Sequence, residues 1–227
     1  MKNAVFDFFT NTTEIHAPQV AKTNLYTRFG KRAFDLAFAI AILPLVAPLV
    51  LILWALVRLD GGPGLYSQKR VGLDRKQFDC WKLRTMVVDA EAVLTELCEK
   101  DPEIAREWHQ NQKLAKDPRI TKVGRFLRAT SLDELPQILN ILTGDMSFVG
   151  PRPFMSQQMQ MYEAAGGRSY FDMRPGITGC WQVVGRGKTQ FSDRVHFDDM
   201  YHSKLSFKYD LTLILKTVGV VVKGTGT

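Results

Sequence analysis

At 227 residues, 45% hydrophobic and 23% charged, the chain is long enough to bury a real core, and its composition excludes global disorder. A formal net charge of +7 points to an anionic partner such as nucleic acid, phosphorylated small molecules or an acidic membrane face. The three cysteines, Cys80, Cys98 and Cys180, form no CxxC and no zinc spacing, which fits a reducing, cytosolic setting for the soluble part.

Residues 1–24 show no clear periodicity and read as a flexible leader. From Leu36 to Val57 the run "LAFAIAILPLVAPLVLILWALV" carries no charge, and as a straight helix it would measure about 33 Å, enough to cross a bilayer core. The polar-mixed residues before it and the lack of a small-residue cleavage site exclude a signal peptide. Pro44 and Pro48 each remove a backbone hydrogen bond in mid-run, so a break is expected there. Arg28, Lys31 and Arg32 flank one end, and Arg58, Lys69 and Arg70 the other. A spanning helix would strand one basic cluster on the non-cytoplasmic side. Residues 25–58 are therefore expected to form a re-entrant helix-break-helix dipping into one leaflet, with Asp35 pairing locally with Arg32.

Residues 59–227 read as the soluble part of the chain. "DGGPG" at 60–64 is a turn cluster, followed by two strands, "LYSQKRVG" and "KQFDCWKLRTM", around a turn at Leu73–Arg75. Val88 to Lys116 is helical and divided near Asp101-Pro102. Arg119 to Ala129 forms a short basic amphipathic helix. "LPQILNIL" continues as helix to Leu142, whereas "TGDMSFVGPRP" and "RPGITGCWQVVGRG" read as shaped loops. The segment "LSFKYDLTLILKTVGVVVKG" suits either a surface-lying helix or a core helix.

The stretch "TSLDELPQ" (Thr130 to Gln137) places two carboxylates side by side in a basic chain. Its plain reading is a helix start, with Ser131-x-x-Glu134 as a capping box. Pro136 argues for Asp133 as the N-cap instead, because that puts the proline within the first turn, where its missing N–H is harmless. Asp133 and Glu134 would then stand at a helix mouth whose dipole favours the anion, pointing toward different partners. Arginines recur nearby in Gly/Pro loops: Arg152 in "GPRP", Arg174 in "RPG" and Arg186 in "GRG". Arg128 precedes the acidic pair, and Lys82 and Arg84 end the second strand. Guanidinium forks suit phosphate oxygens, so these six cations are candidate phosphate-binding residues. There is no GxxxxGK[ST], GxGxxG, D-x-D or HExxH pattern.

"KRAFD", the proline-broken apolar run, "KLRTM", "RATSLDELPQILNIL", "GDMSFVGPRP" and "RPGITGCWQVVGR" together resemble the bacterial sugar transferases, monotopic polyprenyl-phosphate phosphoglycosyltransferases, from about Phe29 onward. The resemblance implies an α/β fold: a small, mostly helical catalytic domain with a short β-hairpin, anchored by an N-terminal re-entrant membrane helix hairpin broken at Pro44 and Pro48. It implies transfer of a hexose 1-phosphate, galactose or glucose favoured, from a UDP-hexose to undecaprenyl phosphate with release of UMP. In that scheme Asp133 is the nucleophile that carries a covalent phosphosugar, Glu134 is its partner, and Mg2+ (magnesium) is the cofactor, held by the same two carboxylates. Implied too are anionic inner-membrane lipids as surroundings, the cytoplasmic face of the bacterial inner membrane, a homodimer as a compatible assembly, and no nucleic acid. The family's break often reads Ser-Pro, where this chain has Ala47-Pro48. Two other classes remain open: direct sugar transfer with Asp133 and Glu134 only as metal ligands, and a basic membrane scaffold without catalysis.

Overall fold

The computed structural model describes residues 25–111, 114–185 and 189–222; the 1–24 leader and Arg186 lie outside the described residues. After a π-helical turn at Tyr26–Gly30, α1 runs from Lys31 to Arg58 with Pro44 and Pro48 inside it. The helix is one continuous element, and the two separate helices expected around the prolines are not resolved as such. It is apolar on every side, so burial is decided by what it meets. Ala39 packs into the main core with Phe38, Ile42, Leu43 and Val46 around it, while Leu53 and Val57 pack on Leu83 and Leu127. Ile40, Leu45, Leu51 and Ile52 face outward, more than half exposed.

Both ends of α1 are fastened to the same domain. At its start Arg32 donates to the carbonyls of Ile141 (2.5 Å) and Leu142 (3.1 Å). Lys31 Nζ lies 2.8 Å from Asp210 Oδ2, and Tyr26 and Tyr201 hydroxyls donate to that same buried carboxylate at 2.7 Å each. Asp35, 1% exposed, does not pair with Arg32 as expected; it accepts from Ser147 Oγ (3.0 Å) and Phe148 N (3.1 Å), with Lys31 at 3.6 Å. A carboxylate this deep needs internal donors, which Ser147 and Phe148 supply in place of bulk water. At the far end Arg84 Nη2 donates to the Val57 carbonyl at 3.2 Å.

Strands β1 (Leu65–Val71) and β2 (Gln77–Leu83) form the expected antiparallel hairpin, in register from Leu65↔Leu83 to Val71↔Gln77. Alternation puts Tyr66, Gln68 and Arg70 on one face with Lys82, Cys80 and Phe78. The helices α2 (Ala90–Lys100) and α3 (Pro102–Asn111) break at Asp101, whose carboxylate caps the Glu103 N–H at 2.8 Å. The helix α4 (Lys122–Thr130) is capped by Thr121. Gly124 is required there: a Cβ would sit 2.0 Å from the Thr85 carbonyl oxygen. Ser131, at φ 58°, ends α4 in the left-handed region, and a 3-10 turn over Leu132–Gln137 leads into α5 (Ile138–Thr143). Asn140 pins α5 to mid-β2, donating to the Asp79 carbonyl (2.7 Å) and accepting from Trp81 N (3.1 Å).

The two Gly/Pro segments read as loops contain a short parallel pair, β3 (Ser147–Val149) and β4 (Gly176–Thr178). Gly150 and Gly176 let the backbones cross, since a Cβ on Gly176 would lie 2.1 Å from Gly150 N. Between them comes α6 (Met159–Ala164), and Phe154, Tyr162, Tyr170 and Phe171 form a second aromatic core. Two helices close the described fold, α7 (Arg194–Lys204) and α8 (Phe207–Val222). The latter answers to both sequence readings: Asp210 and Leu213 are buried, while Phe207, Leu211, Leu215 and Val218 form an exposed apolar stripe. The whole is mostly helical with a small hairpin, in agreement with the α/β expectation.

Candidate active site

The acidic pair does not stand at the mouth of an α-helix. Asp133 and Glu134 lie in the 3-10 turn, and the α-helical run begins only at Ile138. Pro136 contributes to this: lacking an N–H, it cannot make the α-helical bond back to the Leu132 carbonyl. The turn packs on the face of β2 that carries Lys82. Lys82 Nζ reaches Glu134 Oε1 at 2.8 Å, Arg152 Nη2 reaches the same oxygen at 3.1 Å, and Lys82 stands 4.0 Å from Asp133 Oδ2.

The two carboxyls consequently differ. Burial alone would raise Glu134, but Arg152 and Lys82 outweigh it and hold this carboxyl down at about 2. Asp133, 9% exposed, is pushed above the ordinary range by burial, which Lys82 only partly offsets and the Glu134 charge reinforces. A neighbouring anion and desolvation thus outweigh the ion-favouring environment expected of a helix mouth. Glu134 is a fixed counter-ion; Asp133 is the stronger base and the freer group.

The expected cations divide between two tasks. Lys82 and Arg152 are in the site, and Arg128 lies beside it, its Nε donating to Thr85 Oγ1 at 2.9 Å while the Asp133 charge acts on it. Arg84 is elsewhere: its guanidinium is spent on the carbonyls of Pro63 (2.7 Å), Met86 (2.7 Å) and Val57 (3.2 Å) and on Asp60. It clamps the end of α1 to the hairpin, with four of its five N–H groups engaged there. Arg174 donates to the Gly144 carbonyl at 2.8 Å, joining Arg32 at the C-terminal end of α5, where cations complement the helix dipole.

Two arginines that the sequence reading did not single out as phosphate ligands feel the charge of Arg152. Arg194 lies 4.2 Å from the Trp181 ring centroid and 4.8 Å from that of Phe191. Its Nε is buried with no hydrogen-bond partner among the described residues. Burial lowers it to about 10, and the charges of Arg152 and Arg70 push the same way. Arg70, on the Lys82 face of the hairpin, is lowered by burial and by Arg152. Asp198 compensates little, since burial pushes its carboxyl up to about 8. Arg70, Arg152 and Arg194 thus gather like charge where burial partly desolvates it, an arrangement that suits an anionic ligand. Neither arginine sits in a Gly/Pro loop, so no local pattern marked them. Among the described residues no group of three or more His, Cys, Asp or Glu gathers as a metal cluster.

The sequence profile described as "Bacterial sugar transferase" matches residues 26–224. The undecaprenyl-phosphate galactose phosphotransferase of Salmonella typhimurium is 46% identical over 201 residues, covering 88% of this chain and 42% of that protein. The exopolysaccharide production protein ExoY of Sinorhizobium fredii is 41% identical over 199 residues, 87% of this chain and 88% of that protein. The UDP-glucose:undecaprenyl-phosphate glucose-1-phosphate transferase of Escherichia coli is 38% identical over 200 residues, 84% of this chain and 40% of that protein. The chain spans about two fifths of the Salmonella relative's length and most of the Sinorhizobium one's. With the match taking in α1, the hairpin, the acidic turn and the arginine loops alike, the chain belongs to the bacterial sugar transferase family.

Proposed function

We propose that this protein transfers a hexose 1-phosphate from a UDP-hexose to undecaprenyl phosphate, releasing UMP, as the first membrane step of exopolysaccharide or related glycan synthesis. The observation that carries this reading is the asymmetry of the acidic pair: Glu134 is neutralised by Lys82 and Arg152, while Asp133 is desolvated and left basic. The Asp133 carboxylate attacks the β-phosphorus of the donor, and the bond to UMP breaks. UMP leaves as a dianion, and an acyl phosphate carrying the sugar remains on Asp133. An oxygen of the lipid phosphate then attacks that phosphorus, the acyl–oxygen–phosphorus link breaks at phosphorus, and the Asp133 carboxylate is regenerated. No net proton is consumed in either step. Lys82, Arg152, Arg70 and Arg194 neutralise the non-bridging oxygens and the departing nucleotide.

Magnesium fits this donor set. Lys82 and Arg152 both bond Glu134 Oε1, so Glu134 Oε2 and Asp133 would hold the ion together with donor phosphate oxygens, and it would supply further charge neutralisation there. The names of the relatives favour galactose or glucose as the hexose. UMP as the nucleotide product from purified protein, UDP-galactose or UDP-glucose and undecaprenyl phosphate is the expected outcome. UDP in its place would establish direct sugar transfer and overturn the reading.

The same reading takes α1 as re-entrant from the cytoplasmic face. Support comes from the contacts that both ends of α1 make with one domain, Arg32 with the end of α5 and the Val57 carbonyl with Arg84, which suit basic clusters kept on one side of the membrane. The outward apolar faces of α1 and α8 suit contact with lipid. Single cysteines at Leu25 and at Leu59, each highly exposed, with native cysteines replaced by alanine, should both resist a membrane-impermeant thiol reagent in intact cells and both react after permeabilisation. Labelling of only the Leu25 site in intact cells would establish a spanning helix.

A further inference from the structure

Asp198 is a buried acid that the proposed reaction leaves unused. It lies on α7, 4% exposed, and accepts from the hydroxyl of Tyr162 in the second aromatic core at 2.9 Å. Arg194 stands one turn earlier on the same helix, so the two side chains share a face. The Arg194 guanidinium lies over the Trp181 and Phe191 rings, and its buried Nε has no hydrogen-bond partner among the described residues. A ring face holds a cation in place without supplying the oxygen acceptor that a buried N–H requires.

The charges around this pair pull in opposite senses. Arg152 and Arg70 repel Arg194, and Asp198 attracts it. The groups that face Asp198 are Tyr162 on α6, Tyr170 in the turn Ser169–Asp172, Cys180 ahead of Trp181, and Arg194 and Asp199 on α7 itself. Burial pushes both phenols up, and the Cys180 thiol up to about 11, so these three stay neutral where Asp198 titrates. Asp198 itself is pushed up to about 8, because burial outweighs the Tyr162 hydrogen bond and the Arg194 charge. We propose that Asp198 sets the affinity for the nucleotide-sugar donor by acting through Arg194: neutral, it leaves the guanidinium charge to the donor's phosphates, and ionised, it takes that charge for itself. Asp198 is thus a positioning residue, and the assignment rests on the donor proposed above. The sign follows from linkage. A dianionic donor on Arg194 favours the protonated acid, so binding takes up a proton and affinity falls as pH rises through about 8. Tyr162 sets the midpoint, since its hydroxyl stabilises the carboxylate over the acid.

Equilibrium binding of UDP-galactose and UDP-glucose to the full-length Asp133→Asn chain, with magnesium present, tests this without turnover. Affinity for the better donor should be at least about fivefold weaker at pH 9.5 than at pH 7, with proton uptake on binding between them. Adding Asp198→Asn should make the affinity independent of pH across that range. Arg194→Leu should weaken binding at pH 7 at least about tenfold and also remove the pH dependence. Tyr162→Phe should move the loss of affinity to higher pH, and it decides alone if Asp198→Asn does not fold. A pH-independent affinity before these changes, or an unmoved midpoint in Tyr162→Phe, would overturn the proposal. So would normal binding by Arg194→Leu. A loss of affinity that persists in Asp198→Asn and moves to lower pH would assign the titration to Arg194 itself, because removing Asp198 lowers that guanidinium further. Absence of donor binding at every pH would overturn the donor reading along with this inference, whereas pH-independent binding overturns this inference alone.

Discussion

Asp133→Asn is expected to abolish transfer, by at least about 10³-fold, without weakening the fold. Asparagine matches the carboxylate in shape but offers no anion, and an amide is a very poor nucleophile toward phosphorus. Wild-type protein given UDP-hexose without lipid acceptor should gain the mass of a hexose phosphate on the peptide containing Asp133, and the variant should gain none. The sign of the stability change follows from the direction of the shift. A carboxyl whose folded pKa is raised costs the folded state stability once both states are ionised, and that cost vanishes as pH falls below the unfolded value of 3.8. Removing the charge should therefore leave the midpoint of unfolding at neutral pH unchanged or higher. The acidic limb of the wild-type pH–rate profile should lie above the ordinary aspartate range, since Asp133 is the group that must ionise. Substantial activity in the variant, or an adduct on another residue, would exclude Asp133 as the nucleophile.

Glu134→Gln should behave in the opposite sense, losing stability as well as activity. Its carboxyl is held at about 2 against an ordinary 4.5, a difference worth about 3 kcal/mol, and at 15% exposure solvent screens little of it. That contribution is complete above about 4.5 and is lost as pH falls through about 2, because protonation then frees Lys82 and Arg152 from their counter-ion. Denaturant titrations of wild type and variant should differ by about 3 kcal/mol at pH 7 and converge as the pH is lowered toward 2. Turnover should fall at least tenfold, since both cations lose the group that aims them. A stability difference independent of pH would mean that packing, and not the ion cluster, holds this turn.

Much of the local structure was legible in the order of residues. Alternation and the Leu73–Arg75 turn marked the hairpin, and Asp101-Pro102 marked the break between α2 and α3. The acidic pair stood out because adjacent carboxylates before a proline conflict with the basic character around them. Legibility failed where an outcome depended on a distant partner. The strands β3 and β4 are only three residues each, and their pairing rests on the close crossing of Gly150 and Gly176, which no period in the sequence records. That Arg84 and Arg174 bond backbone carbonyls was not legible either, because an arginine's place in the sequence does not say which distant carbonyl it meets.

By itself the sequence determined what is local or compositional: an uncharged apolar segment between two basic clusters, a mostly helical domain with one hairpin, and a pair of carboxylates at a proline-constrained turn. Period, charge and proline chemistry act over a few residues, so they can be read without a fold. The tertiary structure decided which charges meet. It carried Lys82 across 52 positions and Arg152 across 18 to one oxygen of Glu134, desolvated Asp133 beside them, and brought Arg70 and Arg194 within reach of the Arg152 charge. It also placed α1 against the acidic turn, with Ile42, Val46, Glu134 and Leu135 lining one cavity. Electrostatic coupling and desolvation depend on distance in space and on exclusion of water, and both come into being only when the chain is packed.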